Sequence, residues 1–325
     1  MPRPTFCYVI LAHQYSGTIT LVRRIRELSP SATVIVRFED TTHFDSAALR
    51  DAGAIPLVST IRARWGAWTL TEAMLEALGN ARRLADADYL VMISGQDYPV
   101  RDLPTWEAEI ADTGADALLD VLADHPEDWR FRWRMVEIPA PAHPGAYRAL
   151  RHAAWRIGTL TRGVLKILPR FADGDRRWLI GVLRLRVRVP GQVRITKCSQ
   201  WMTLSARAVD AVLRRDERDP AVRAFFRTVR ISDESYIQSL LHDDPSLRIW
   251  HGQTTLKRFA AGKSSPQWLD VGTLRELTAR SPAPFARKVE PQADDVRAAA
   301  TELAAADLCA RTEIASPVPV APQRR

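Results

Sequence analysis

Apolar runs alternate with amphipathic stretches through the first hundred residues. Residues 6–12 (FCYVILA), 32–38 (ATVIVRF) and Tyr89–Ser94 (YLVMIS) are apolar, rich in β-branched and aromatic side chains, and closed by polar steps. Runs of that length and make-up predict buried strands. Between the first two, Ile19, Leu21, Val22, Ile25 and Leu28 recur at helical spacing with arginines in the gaps. That spacing predicts an amphipathic helix over 18–28. A short helix over 47–52, a short strand over 55–58 and a longer helix over 69–84 follow, the last with Thr69 or Thr71 as its cap. This β-α-β-α-β order predicts an α/β protein built on a parallel, Rossmann-like sheet with helices on its flanks.

The second half is less regular. The pattern predicts a helix over 105–112, a strand over 115–121 and an alternating strand over 129–138 (WRFRWRMVEI). Residues 140–190 hold ten arginines and one lysine. Within them, 149–168 reads as a basic amphipathic helix, either a core-facing surface helix or a contact with an anionic membrane or polyanion. Further on, Ser205 caps a helix over 206–214, and Ser232 or Asp233 caps the next, which places Glu234 in a first helical turn. A strand over 247–250 and an Ala-rich helix over 294–311 with Asp294 as cap complete the elements. Residues 317–325 are Pro-rich, basic and expected to be disordered.

Composition narrows the class. At 325 residues with 46% hydrophobic side chains, the chain can bury a core that needs no disulfides. Its three cysteines, Cys7, Cys198 and Cys309, are widely spaced and odd in number, which predicts a reducing compartment. No apolar targeting segment precedes Phe6, and no window is long and apolar enough for a membrane span. The expected location is therefore cytoplasmic, with peripheral contact at the inner face of the membrane left open. The net charge of +8 suggests an anionic ligand, a polyanion or an anionic surface.

Candidate chemistry sits at strand ends. After Tyr89–Ser94 comes Gly95-Gln96-Asp97. In open α/β sheets the carboxyl ends of the strands are where ligands bind. An Asx-type turn would explain the same residues structurally. The first strand ends in His13-Gln14-Tyr15-Ser16-Gly17, so the dinucleotide fingerprint is absent, and so is a Walker loop. Asp86-Ala87-Asp88 could hold a metal-nucleotide, but it precedes its strand, at the edge away from ligands.

The segments FCYVILAH, VIVRFED, RWGAWTLTEAML, YLVMISGQDYPV, ITKCSQWMTLS, ISDESYIQSLL and PFARKV occur in that order. Over roughly residues 6–289 the chain resembles the core-2/I-branching β-1,6-N-acetylglucosaminyltransferase family, which includes the peptide xylosyltransferases, in a bacterial-type form. The resemblance implies a GT-A-like fold with a mixed sheet flanked by helices in a single catalytic domain. It implies transfer from a UDP-sugar to an acceptor hydroxyl with inversion, with no metal and no cofactor. By the same resemblance, Glu234 in S-D-E-S is the catalytic base. Lys288 in F-A-R-K binds the diphosphate, and Asp97 lies beside the nucleotide. Trp201 in S-Q-W-M lies near the acceptor, and Trp65-Gly66 forms pocket wall or packing. His13 and Asp40, at two other strand ends, would line the uridine pocket. Arg258, Lys257 or Lys263 would supply a second contact to the diphosphate.

Each residue has a plainer reading. Glu234 could simply favour a helix start, the basic residues could be solvated surface, His13 could be a structural hydrogen-bonder, and Trp201 could be core. Inverting transfer does need one base and positive charge for the leaving diphosphate. The family's animal members carry membrane anchors and disulfides, neither of which is expected of this chain, and Cys198 replaces a usual small residue. The expected domains are 1–290, GT-A-like with 140–190 as a variable basic acceptor-side region, and 291–325, a helix and tail. The expected partners are a UDP-sugar and a carbohydrate or glycoconjugate acceptor, with no nucleic acid. A non-catalytic polyanion- or nucleic-acid-binding protein, and a metal-dependent transferase using Asp86 and Asp88, are the alternatives.

Overall fold

The computed structural model describes residues 3–123, 129–139, 149, 152, 153, 156, 160, 161, 164–172, 175–262 and 265–315. The first strands are β1 (Phe6–Leu11), β2 (Thr33–Glu39), β3 (Ile55–Ser59), β4 (Tyr89–Ser94) and β5 (Asp97–Pro99). The middle ones are β6 (Ala117–Leu119), β7 (Val121–Ala123), β8 (Trp133–Pro139), β9 (Leu165–Ala172) and β10 (Asp175–Leu183). The last are β11 (Lys197–Cys198), β12 (Met202–Ser205), β13 (Ile249–His251), β14 (Thr255–Lys257) and β15 (Phe285–Arg287).

The main sheet has seven strands in the order β13-β6-β12-β4-β1-β2-β3. Strands β4, β1, β2 and β3 are parallel. Strand β12 runs antiparallel between β4 and β6, which makes the sheet mixed. Helices flank it: the alternation's parallel strands are present in β1–β4, and the sheet as a whole is mixed, as the resemblance implies.

The parallel strands read as unbroken apolar runs because both faces are covered. Cys7, Val9, Leu90 and Met92 pack one way, with Met74 and Leu78 of the helix Trp68–Leu84. Tyr8, Ile10, Val91 and Ile93 pack the other way, with Leu21 and Ile25 of the helix Tyr15–Leu28 and with Trp106. Full burial of one such side chain contributes about 1.5–3 kcal/mol, so this sandwich supplies the rigid base under the strand ends.

Three smaller sheets accompany the main one, one of them the pairing of β7 with β11. Strand β5 pairs with β15, and β15 with β14, beside the end of β4. Strands β8, β10 and β9 form an antiparallel lobe. The C-terminal helix Asp294–Ala315 buries Val296, Ala299 and Ala300 against Tyr98, Val100 and Leu274. No helix among the described residues is long and apolar enough to cross a membrane.

Several predicted elements differ. Leu165–Leu168, predicted helical, lie in strand β9 and pair with β10. The remainder of the predicted helix falls largely outside the described residues, although Ala149, His152, Ala153, Arg156 and Leu160 are helical. Trp129–Arg132 form a helical turn, and the strand starts only at Trp133. Ser232 and Asp233 cap nothing: Ser232–Glu234 form a separate 3-10 turn, and the helix begins at Tyr236. The Ser232 hydroxyl is instead 2.8 Å from that of Thr71, and the helix Trp68–Leu84 follows Ala67, so neither Thr69 nor Thr71 is its cap. Asp294 is the first residue of its helix and not the residue before it. Ser205 does cap, accepting from the Ala208 N–H at 3.1 Å. The tail over 317–325, expected to be disordered, lies outside the described residues.

Candidate active site

A cavity of about 770 Å³ opens at the carboxyl ends of β1, β2 and β4. That volume suits a nucleotide-sized ligand. Strand order reverses between β1 and β4, which makes this the switch-point crevice of the sheet. Its floor includes Ala12 and His13 after β1, Arg37 and Glu39 of β2, and Ser94 and Gln96 around the β4 turn. Gly95 is required at that turn by close approach, since a Cβ there would stand 2.4 Å from the Thr18 hydroxyl. Arg37 is buried and donates to Glu76 at 3.2 Å and Ser59 at 2.8 Å. Glu39 accepts from the Ala63 N–H at 2.7 Å, which holds its carboxylate at the strand end.

One wall is cationic and comes from β14, β15 and the residue after them. Lys257, Arg287 and Lys288 all line the cavity. Lys257 is spent on Asp120 at 3.0 Å and Ser199 at 2.9 Å. Arg287 is 8% exposed and lies 3.4 Å from Asp97 as an ion pair. Its guanidinium stacks 4.5 Å over the Trp201 ring. Burial holds Arg287 below its ordinary range, with Asp97 opposing. Lys288 donates to Ser265 at 2.7 Å and is lowered by burial and by the neighbouring Arg287. Two cations held side by side in a partly dry wall are stabilised by any anion placed between them.

Asp97 is buried and does not line the cavity. Its Oδ2 accepts from the Ser94 N–H at 2.9 Å and the Thr255 hydroxyl at 3.3 Å, and burial pushes it up to about 6. It acts on the cavity through Arg287.

The turn Ser232–Glu234 adds a carboxylate to the same lining. Ile231 enters it at φ 55, a left-handed conformation kept in place by its N–H to the Gly66 carbonyl at 3.1 Å. Gln238 donates to the carbonyls of Asp233 at 2.9 Å and Ser199 at 3.1 Å, tying the turn to the Trp201 segment. Glu234 lines the cavity, and its Oε2 accepts from Arg130 at 2.9 Å. Arg130 is itself buried, in the helical turn before β8. Asp233 is buried beside it with one carboxylate oxygen unpaired, and burial and Glu234 push it up to about 7. At the rim, Gly66 sits at φ 67 and leaves room for Arg230, whose Nη2 would be 2.8 Å from a Cβ. Exposed Trp65 lines the cavity beside it.

Of the predicted site residues, the cavity brings together Glu234, His13, Trp201 and Lys288. Asp40 is exposed and not among the lining residues, whereas its neighbour Glu39 is. Arg258 pairs with Glu276 at 2.6 Å and does not line the cavity. Lys263 lies outside the described residues. Asp88 accepts from the Thr5 N–H at 2.8 Å and the Thr5 hydroxyl at 3.0 Å, fastening the start of the chain at the amino edge. Arg287, Arg130 and Glu39 are the side chains that sequence reasoning missed. For Arg287 the signal was present, since it precedes the singled-out Lys288. Nothing local ties Arg130 to a residue 104 positions away.

A family model described as Branch, the Core-2/I-Branching enzyme, matches residues 39–280. No curated protein matches the chain. Among solved structures it is similar to Staphylococcus aureus TarS 1–349, at 10% identity over 96% of this chain and 72% of that one, TM-score 0.34. A putative glucose-1-phosphate thymidylyltransferase from Bacillus anthracis, in complex with a sucrose, is also 10% identical, over 85% of this chain and 94% of that one, TM-score 0.34. HddC from Yersinia pseudotuberculosis is 8% identical, over 64% and 79%, TM-score 0.28. Likenesses this distant carry nothing about function.

Proposed function

The chain belongs to the core-2/I-branching enzyme family, and on that premise we propose that this glycosyltransferase is an inverting, metal-independent enzyme using a UDP-sugar. The donor sugar is GlcNAc or xylose, and the product is a β-glycoside in surface polysaccharide or glycoconjugate assembly, in a bacterial-type setting. The observation that carries the reading is one cavity lined both by a carboxylate, Glu234, and by paired cations, Arg287 and Lys288.

The geometry supports a single displacement. The acceptor oxygen attacks the anomeric carbon, and its proton passes to Glu234. The bond from that carbon to the diphosphate breaks, and the electron pair leaves on UDP. Lys288 and Arg287 neutralise the charge that develops there, the role a divalent cation plays in other transferases. Arg287 keeps its place because Asp97 and Trp201 hold it from behind and below. Arg130 holds one oxygen of Glu234, and Glu234 lines the cavity. His13 and Glu39 line the part of the cavity proposed for the nucleoside end, and Trp201 offers an indole for the acceptor.

The test is UDP release by the purified chain across a panel of UDP-sugars, with and without EDTA. Release from UDP-GlcNAc or UDP-xylose that survives chelation is the expected result. Release lost on chelation and restored by manganese would overturn metal independence. No release from any UDP-sugar, with or without a saccharide acceptor, would overturn the donor class.

A further inference from the structure

The outer face of the β8–β10–β9 lobe is the strongest feature that the cavity does not explain. Its inner face is packed: Trp133, Met135 and Leu179 are buried together. The packing at Gly181 is close, since a Cβ there would stand 3.2 Å from Trp133. Strand side chains alternate, so the residues between these must point away. The register places Val136 opposite Ile180 and Arg134 opposite Val182 on that other face. Val136 is 49% exposed, Val182 46% and Leu185, just past β10, 97%. At its far end Trp178 is buried.

The charges around this patch have one sign. Arg132, Arg134, Arg186 and Arg188 are exposed. The one acid among residues 129–139 and 177–189 is Glu137, which points inward and pairs with Arg230 at 3.1 Å and Arg64 at 3.6 Å. Exposed aliphatic side chains interleaved with unopposed arginines suit a surface that is apolar inside and anionic at its skin. A second copy of the chain would set arginine against arginine. A nucleic acid would use the cations but gain from aromatic stacking, and this patch offers aliphatic groups instead.

We propose that this face docks the protein peripherally on an anionic phospholipid bilayer, with Val136, Val182 and Leu185 entering the interface and the arginines meeting the headgroups. The inference stands apart from the catalytic reading, because docking needs no donor and no Glu234. It also gives the lobe a place: β8 carries Glu137, which is anchored beside Trp65 at the cavity rim through Arg230.

The experiment is flotation of the full chain with phosphatidylglycerol–phosphatidylcholine vesicles and with pure phosphatidylcholine vesicles, at low and high salt. Partition onto the anionic vesicles only, reversed by salt, is the expected result. Replacing Arg134, Arg186 and Arg188 by Gln should weaken it by roughly 100-fold, from the usual contribution of each surface arginine. Val182→Ser with Leu185→Ser should weaken it by about 10-fold while keeping its salt dependence. UDP affinity, measured by calorimetry, should be unchanged in both variants and reports that they are folded. Absence from anionic vesicles, equal partition onto neutral ones, or full partition after the arginine replacements would overturn the proposal. So would retention by an oligonucleotide or an acidic peptide without retention by vesicles.

Discussion

The two walls of the cavity are held in opposite ways. The cation wall belongs to the core: Arg287 ends a short strand, is buried, and is backed by a buried carboxylate and an indole. The carboxylate wall is a turn: Glu234 is half-exposed and is held by Thr71 through Ser232, by Gln238, and by Arg130 from the lobe. A wall locked into the core suits a ligand group that never changes, such as a diphosphate. A turn steered from a lobe suits a group that must meet a variable acceptor and accept a proton. The comparison predicts that damage to the turn lowers rate, and damage to the cation wall lowers nucleotide affinity.

The largest effect should come from Glu234→Gln, which keeps the shape and removes the proton acceptor. Transfer should fall by about 100-fold or more, the usual scale for a general base, with UDP affinity unchanged. Steady-state UDP release checks it, and near wild-type turnover would break the assignment of the walls.

Arg130→Gln comes next. It removes a charge-assisted hydrogen bond from Glu234, worth roughly 1.5 kcal/mol after allowance for the carboxylate's partial exposure. We expect kcat to fall by about 10-fold while UDP affinity holds. A fall in UDP affinity instead would place Arg130 on the cation wall.

The smallest effect is a change of slope. Asp233 is raised from its ordinary 3.8 to about 7 by burial and by Glu234. The folded protein therefore takes up this proton more readily than the unfolded chain. Its contribution favours folding below about pH 4 and is lost as pH rises toward 7. Asp233→Asn is neutral throughout, so the melting temperature of the variant relative to wild type should rise across that interval. Parallel melting curves from pH 4 to 7 would mean that Asp233 is charged and paired in the folded protein.

The core wall was far more legible in the sequence than the turn. Strands β1, β2 and β4 are covered on both faces, so their apolar runs needed no tertiary context. Val164, Leu165, Ile167 and Leu168 fit a helical period as well as a strand. Leu165, Ile167 and Leu168 pair with Leu179–Val182 across the β9–β10 hairpin, and that pairing decided for the strand. The Ser232–Glu234 turn carried the right residues, but its geometry depends on Thr71 and Gly66, more than 160 positions earlier. Lys288 was found through its motif and Arg287 overlooked, because only the pairing of β15 with β5 sets Arg287 against Asp97.

The most direct test of the division between the walls is calorimetry of UDP and uridine against wild type and Lys288→Met, with circular dichroism to confirm folding. The substitution removes the charge and keeps most of the packing. A charge-assisted hydrogen bond to phosphate contributes roughly 1.5–3 kcal/mol, so UDP affinity should fall by about 10- to 100-fold while uridine affinity stays as it was. Equal weakening of both ligands, or of neither, would contradict the account.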